Sequence, residues 1–89
     1  GLRPRVIFFF SFVDIAVVKA EKSRFACVIA KKRLKKAVER NRVKRKIYHI
    51  IQDNKPKTPH LVIIYPKVTV LSGNSTHIKE EIIKAFATL

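Results

Sequence analysis

With 89 residues, 47% of them hydrophobic, the chain holds one small domain with a core of its own, which excludes wholesale disorder. A net charge of +14 exceeds what solubility needs and destabilises a folded chain by self-repulsion, so a polyanion is the implied partner: RNA, DNA or an anionic membrane. The single cysteine, Cys27, excludes an internal disulfide framework and is compatible with a reducing cytosol.

The first element is the apolar run Val6 to Val13, rich in Phe, Val and Ile. Arg3 and Arg5 ahead of it imitate the charged region of a signal peptide. Asp14 interrupts the run, however, and no small-x-small cleavage site follows. A membrane span needs roughly 20 apolar residues, more than the segment supplies. It therefore reads as a strand buried on at least one face. Lys19 to Ser23 is polar and turns the chain, and Arg24 to Ala30 is a second strand-like run. The two are expected to pair as an antiparallel hairpin. Cys27 lies inside the second run and reads as a small buried side chain.

The chain then changes character. Lys31 to Lys46 (KKRLKKAVERNRVKRK) carries ten Lys and Arg and a single acid, Glu39. Val43, Ile47, Ile50 and Ile51 follow the spacing of one buried helical face. At about 100° per residue, Asn41, Arg42, Arg45, Lys46 and His49 lie toward the opposite side. Extending the stripe backwards puts Lys36 and Arg40 on the apolar side, so the helix is expected to start near Val38 or Glu39. The earlier lysines then sit on a loop leading into it. The helix ends around Asp53-Asn54, ahead of Pro56.

Lys55 to His60 holds two prolines and is a loop. Leu61 to Tyr65, bracketed by Pro59 and Pro66, is a continuous apolar run and hence a central strand. Val68 to Leu71 extends it as a bent or edge segment. Ser72-Gly-Asn-Ser75 is a turn with a helix cap at Asn74 or Ser75. Ile78, Ile82, Ala85, Phe86 and Leu89 mark the buried stripe of a second helix. The expected order is β-β-α-β-α in one α+β domain spanning residues 1–89, with helices packed on a sheet. If strands two and three are parallel, the helix between them is a crossover, which is generically right-handed.

Nothing in the chain is arranged for chemistry. His49, His60 and His77 are scattered without ligand spacing, and Glu80 and Glu81 are neighbours about 100° apart on a helix. With only Gly1 and Gly73, no glycine-rich phosphate loop can form. The basic segment does point to a ligand. A solvated helix face alternates charge signs and a disordered tail lacks an apolar stripe, so a fixed surface with one acid in sixteen residues is built for phosphates. Within it, Arg40-Asn41-Arg42 puts planar forks for bidentate phosphate contact and an amide able to donate and accept at a helix's first turn. Neutralising about eight phosphates gives a slope of log K on log salt of roughly −6 to −7. Phe8, Phe9, Phe10 and Phe12 cannot all face one way. Core packing is the first reading for them, and an aromatic platform for bases the second.

Phe25 to Ile47 resembles the signature of the bacterial ribonuclease P protein subunit. That family carries a strand ending in a Lys-Lys pair, then an Arg-Asn-Arg motif and a following Lys-Arg, here Lys31-Lys32, Arg40-Asn41-Arg42 and Lys44-Arg45. The likeness spans about the whole chain and is strong over its middle quarter. It implies an α-β sandwich with a left-handed β-α-β crossover, against the generic hand. It also implies a role as the accessory subunit of a cytoplasmic ribonucleoprotein endonuclease. In that enzyme a catalytic RNA with bound magnesium removes the 5′ leader from precursor tRNA, and no protein partner or membrane takes part. By the same resemblance, Lys31, Lys32, Lys36, Arg40, Asn41, Arg42, Lys44 and Arg45 contact the catalytic RNA, while the leader lies in a cleft along the sheet. Phe8, Phe10 and Phe12 on one sheet face, with Lys67, are the candidates for that cleft.

Two departures stand out. The family begins with a helix carrying aromatic cleft residues, whereas this sequence starts at or just before the first strand. Its helix also continues with an Arg-Glu pair where this chain has Tyr48-His49. Two other readings remain open on the sequence: a general RNA- or DNA-binding module without enzymatic context, and a membrane-surface or secreted cationic protein.

Overall fold

The apolar run after Arg5 is folded back on itself. In the computed structural model, which describes residues 5–89, it forms two strands, β1 (Arg5–Phe9) and β2 (Val13–Lys19). They are followed by β3 (Arg24–Cys27), helix α1 (Ala37–Asp53), β4 (His60–Pro66), a 3-10 turn (Val68–Leu71) and helix α2 (Ser75–Ala87). The order is thus β-β-β-α-β-α, one strand more than expected. The single expected strand Val6 to Val13 is corrected to β1, a tight turn and the start of β2. The bent or edge segment at Val68 to Leu71 is a 3-10 turn instead.

The four strands lie in the order β1-β2-β4-β3. β1 and β2 are the antiparallel hairpin, β2 pairs antiparallel with β4, and β3 pairs parallel with β4. The expected hairpin between the first run and Arg24 to Ala30 is therefore not formed. β4 alternates buried and half-buried residues along its whole length and is covered on both edges, by β2 and by β3. The parallel pairing makes α1 the crossover.

Strand register sorts the side chains onto two faces. Val13, Ile15, Val17, Val62, Ile64 and Cys27 point to one side, where they meet Val43, Ile47, Ile50 and Ile51 of α1 and Ile78, Ile82, Ala85 and Phe86 of α2. Both helical stripes match the sequence periodicity. The opposite sheet face carries no helix in the described chain. Across it run Ile7, Ala16, Ile63 and Ala26 in one row and Phe9, Asp14 and Tyr65 in the next, with Phe9 76% and Ile7 46% exposed.

The turn between β1 and β2 shows how the fold is tied. Ser11 and Phe12 form a two-residue loop closed by Phe10 N–H donating to the Val13 carbonyl (3.0 Å). The favoured two-residue hairpins need positive φ, and no described residue has it. Remote partners satisfy the backbone instead. Glu81 of α2 accepts from Ser11 N (3.0 Å) and Phe12 N (2.9 Å), and Thr69 Oγ1 donates to the Ser11 carbonyl (2.6 Å). Lys67 N donates to the Phe12 carbonyl (2.9 Å), and its Nζ to that of Phe10 (2.6 Å). Bonds to a charged acceptor contribute about 1.5–3 kcal/mol each, and water replaces part of that at the exposed Ser11. Glu81→Ala is accordingly expected to cost about 2 kcal/mol in urea unfolding. A loss under about 0.5 kcal/mol would mean the turn holds its shape without the carboxylate.

Candidate nucleic-acid interface

The basic segment begins where β3 ends. Val28 N–H extends the parallel ladder to the Ile64 carbonyl (2.9 Å), and the Ala30 carbonyl then accepts from Arg33 N (3.0 Å) and Leu34 N (3.2 Å). Leu34 is 2% exposed and belongs to the core. It is the only buried side chain between Val28 and Lys36, so Lys31, Lys32, Arg33, Lys35 and Lys36 are displayed around one apolar anchor. Arg33 also reaches the Pro66 carbonyl at 3.3 Å.

Helix α1 follows with Lys36 at its N-cap and no side-chain cap. Its unpaired N–H groups and its partial positive charge directly adjoin the cationic loop that leads into it. Past the first turn the Arg-Asn-Arg motif divides. Asn41 and Arg42 are exposed and, with Arg45 and Val38, line a shallow depression on the outer face of α1. Arg45 continues into a second hollow with Tyr48, His49 and Gln52. Arg40 lies on the other side, half-buried, its Nη1 donating to the carbonyls of Leu34 (2.7 Å) and Lys35 (2.9 Å). The backward extension of the apolar stripe placed it there. Lys44 is half-buried beside Cys27. Burial pushes the Cys27 thiol up to about 11, and the nearby Lys44 charge offsets a part of this. The thiol is thus protonated at neutral pH and a poor nucleophile.

The residues expected in the leader cleft lie near one another, with Lys67 bonded to the Phe10 and Phe12 carbonyls, but the rings turn toward the helix-covered side of the sheet. Phe8 and Phe10 stack on each other (centroids 6.0 Å apart) and pack against the core, and Phe12 stacks on His77 of α2 at 6.0 Å. Lys67 pairs with Asp14 at 3.1 Å as well as holding the turn. The aromatic side chains on the open sheet face are Phe9, one of the four phenylalanines weighed as a platform for bases, and Tyr65, which the sequence placed only in a strand. Period-two alternation from Arg5 would have put Phe9 opposite Phe8 and Phe10. Tyr48 also stands out, lining a groove with Arg24, Phe25, Gln52 and Lys55 along the β3 edge. Among the described residues no three His, Cys, Asp or Glu side chains converge to hold a metal ion, and no helix is long and apolar enough to cross a membrane.

No curated protein matches this sequence. Among solved structures, the chain is similar to the RNase P protein from Thermotoga maritima in complex with 1-(4-fluorophenyl)-2-thiourea. That match has a TM-score of 0.83 at 17% identity, over 96% of this chain and 86% of that one. It is also similar to the RNase P protein of Staphylococcus aureus, with a TM-score of 0.74 at 16% identity over 88% of this chain and 74% of the other. At such identities the likeness establishes the fold. The family model described as Ribonuclease P matches residues 3–89, nearly the whole sequence, and the chain belongs to that family.

Proposed function

We propose that this chain is the protein subunit of a bacterial-type ribonuclease P, docking on the catalytic RNA and holding the 5′ leader of precursor tRNA while the RNA cuts. The observation that carries the reading is the junction of loop and helix. Lys31, Lys32 and Lys36 on the loop and Asn41, Arg42 and Arg45 on the outer face of α1 are exposed within a chain of the family. Their charges are held by a folded scaffold, which favours phosphates of a structured RNA. Lys44, half-buried, serves the edge of this surface.

The leader is assigned to the open sheet face, where Phe9 and Tyr65 offer rings to unpaired bases and Ile7 and Ile63 an apolar floor. Lys67 borders that face through its ion pair with Asp14. Single-stranded RNA suits such a surface because stacking tolerates any base. As in the family it belongs to, the magnesium is expected to enter with the RNA, and catalysis to belong there. The site of action is the cytoplasm, where precursor tRNA is processed.

The test is cleavage of a 5′-extended precursor tRNA by a bacterial ribonuclease P RNA at low magnesium, with and without this chain. RNA alone is nearly idle under those conditions for want of counter-charge. Near-stoichiometric protein is expected to restore cutting at the mature 5′ end. RNA binding without restored cutting would favour a general RNA-binding module instead.

A further inference from the structure

The two arginines of Arg40-Asn41-Arg42 do different work. Two residues along a helix is about 200°, so Arg40 and Arg42 project to opposite sides of α1. Arg42 is exposed, whereas Arg40 stands one turn ahead of Val43 and two ahead of Ile47 on the buried stripe. Its Nη1 is engaged by two carbonyls, those of Leu34 and Lys35, in the last stretch of loop before the helix.

Apart from the buried Leu34 side chain, that stretch has few other restraints. Lys36 gives α1 no side-chain cap, so the usual device that sets the entry angle of a helix is missing. Inside the loop, the bonds are those from Arg33 and Leu34 to Ala30 and the long one from Arg33 to Pro66. Meanwhile Lys31, Lys32, Arg33, Lys35 and Lys36 put five like charges into six residues, and their repulsion drives the loop to spread. A guanidinium gripping the Leu34 and Lys35 carbonyls ties this loop to the helix. It also keeps the loop lysines in register with Arg42 and Arg45.

We propose that Arg40 is a positioning residue, which clamps the loop before α1 so that the loop lysines and the outer face of α1 meet RNA as one preformed surface. The inference rests on reading this face as an RNA surface. Preforming it removes the ordering cost that a loose loop would add on binding.

The test compares Arg40→Met, which keeps the aliphatic stem, with Arg40→Lys and Arg42→Ala. One readout is amide hydrogen exchange of the free protein, at the hydrogen-bonded amides of Arg33, Leu34 and Arg40. The other is the salt slope of binding to a bacterial ribonuclease P RNA. A plain phosphate contact lowers the slope by about one when removed. For Arg40→Met the expected result is at least tenfold faster exchange at those amides, unchanged exchange in β2 and β4, and a slope reduced by two or more. Arg40→Lys, whose ammonium can still donate to carbonyls, is expected to recover most of both. Arg42→Ala should lower the slope by about one and leave the loop amides alone.

Unaltered loop exchange in Arg40→Met with a slope reduced by one would overturn the proposal and make Arg40 an ordinary contact. So would a loosened loop with a slope reduced by one or less, since the loop cations would then not depend on the clamp. If Arg42→Ala leaves the slope untouched, the RNA face itself is misassigned, whatever the exchange data show. Should Arg40→Met lose protection in β4, Arg40→Gln is read by the same criteria.

Discussion

Replacing Arg42 and Arg45 together by alanine is expected to weaken binding to a bacterial ribonuclease P RNA by about 10- to 100-fold near 0.15 M salt, and to lower the salt slope by about two. Each removed contact returns one set of condensed counterions to the RNA, so the loss grows as salt falls. Neither arginine makes a hydrogen bond or ion pair among the described residues, and both are exposed. The fold should therefore be indifferent to the change, with circular dichroism and the urea midpoint as in the parent. A slope equal to the parent's would move the docking surface off α1. This double variant isolates contact from scaffold in a way that one including Arg40 does not, because Arg40 also holds backbone.

Leu34→Ala is expected to have the largest effect on stability. The side chain is 2% exposed within the core cluster, and leucine-to-alanine changes at such sites cost about 2–5 kcal/mol. A domain of this length has about 4–13 kcal/mol in total, so the substitution removes a large fraction of it. The damage is directed, too. Leu34 is the buried anchor of the loop that carries the five cations, so losing it should impair RNA binding even at temperatures where the variant remains folded. Urea unfolding followed by circular dichroism reads the first effect. A cost below about 1 kcal/mol would show that the loop repacks around the gap and does not depend on its leucine.

The elements with local causes were legible in the sequence. The stripe Val43, Ile47, Ile50, Ile51 predicted the inward face of α1, and its backward extension put Arg40 on that side. The flanking prolines bounded β4 to within a residue at each end, and Asn74 caps α2 by accepting from His77 N at 2.9 Å. What the sequence hid was non-local. Phe10-Ser11-Phe12 offers only a lone serine as a turn signal, because the groups that stabilise the turn come from Lys67, Thr69 and Glu81, up to seventy positions away. With that turn unseen, β1 and β2 read as one strand, and β3 was left with the wrong partner. The same slip blurred the cleft, since the face of each phenylalanine depends on where its strand begins.

The sheet has one more consequence, and it concerns how copies of the protein treat one another. Ile7, Phe9 and Val28 lie exposed at or beyond the edges of a sheet whose outer strands offer free backbone groups, a combination that invites association. The +14 charge opposes it by keeping molecules apart. The cations thus act as a colloidal stabiliser before they act as ligands. Concentrated salt, or variants stripped of many lysines, would weaken that repulsion and favour precipitation. A bound RNA that covers the sheet would replace it as the shield.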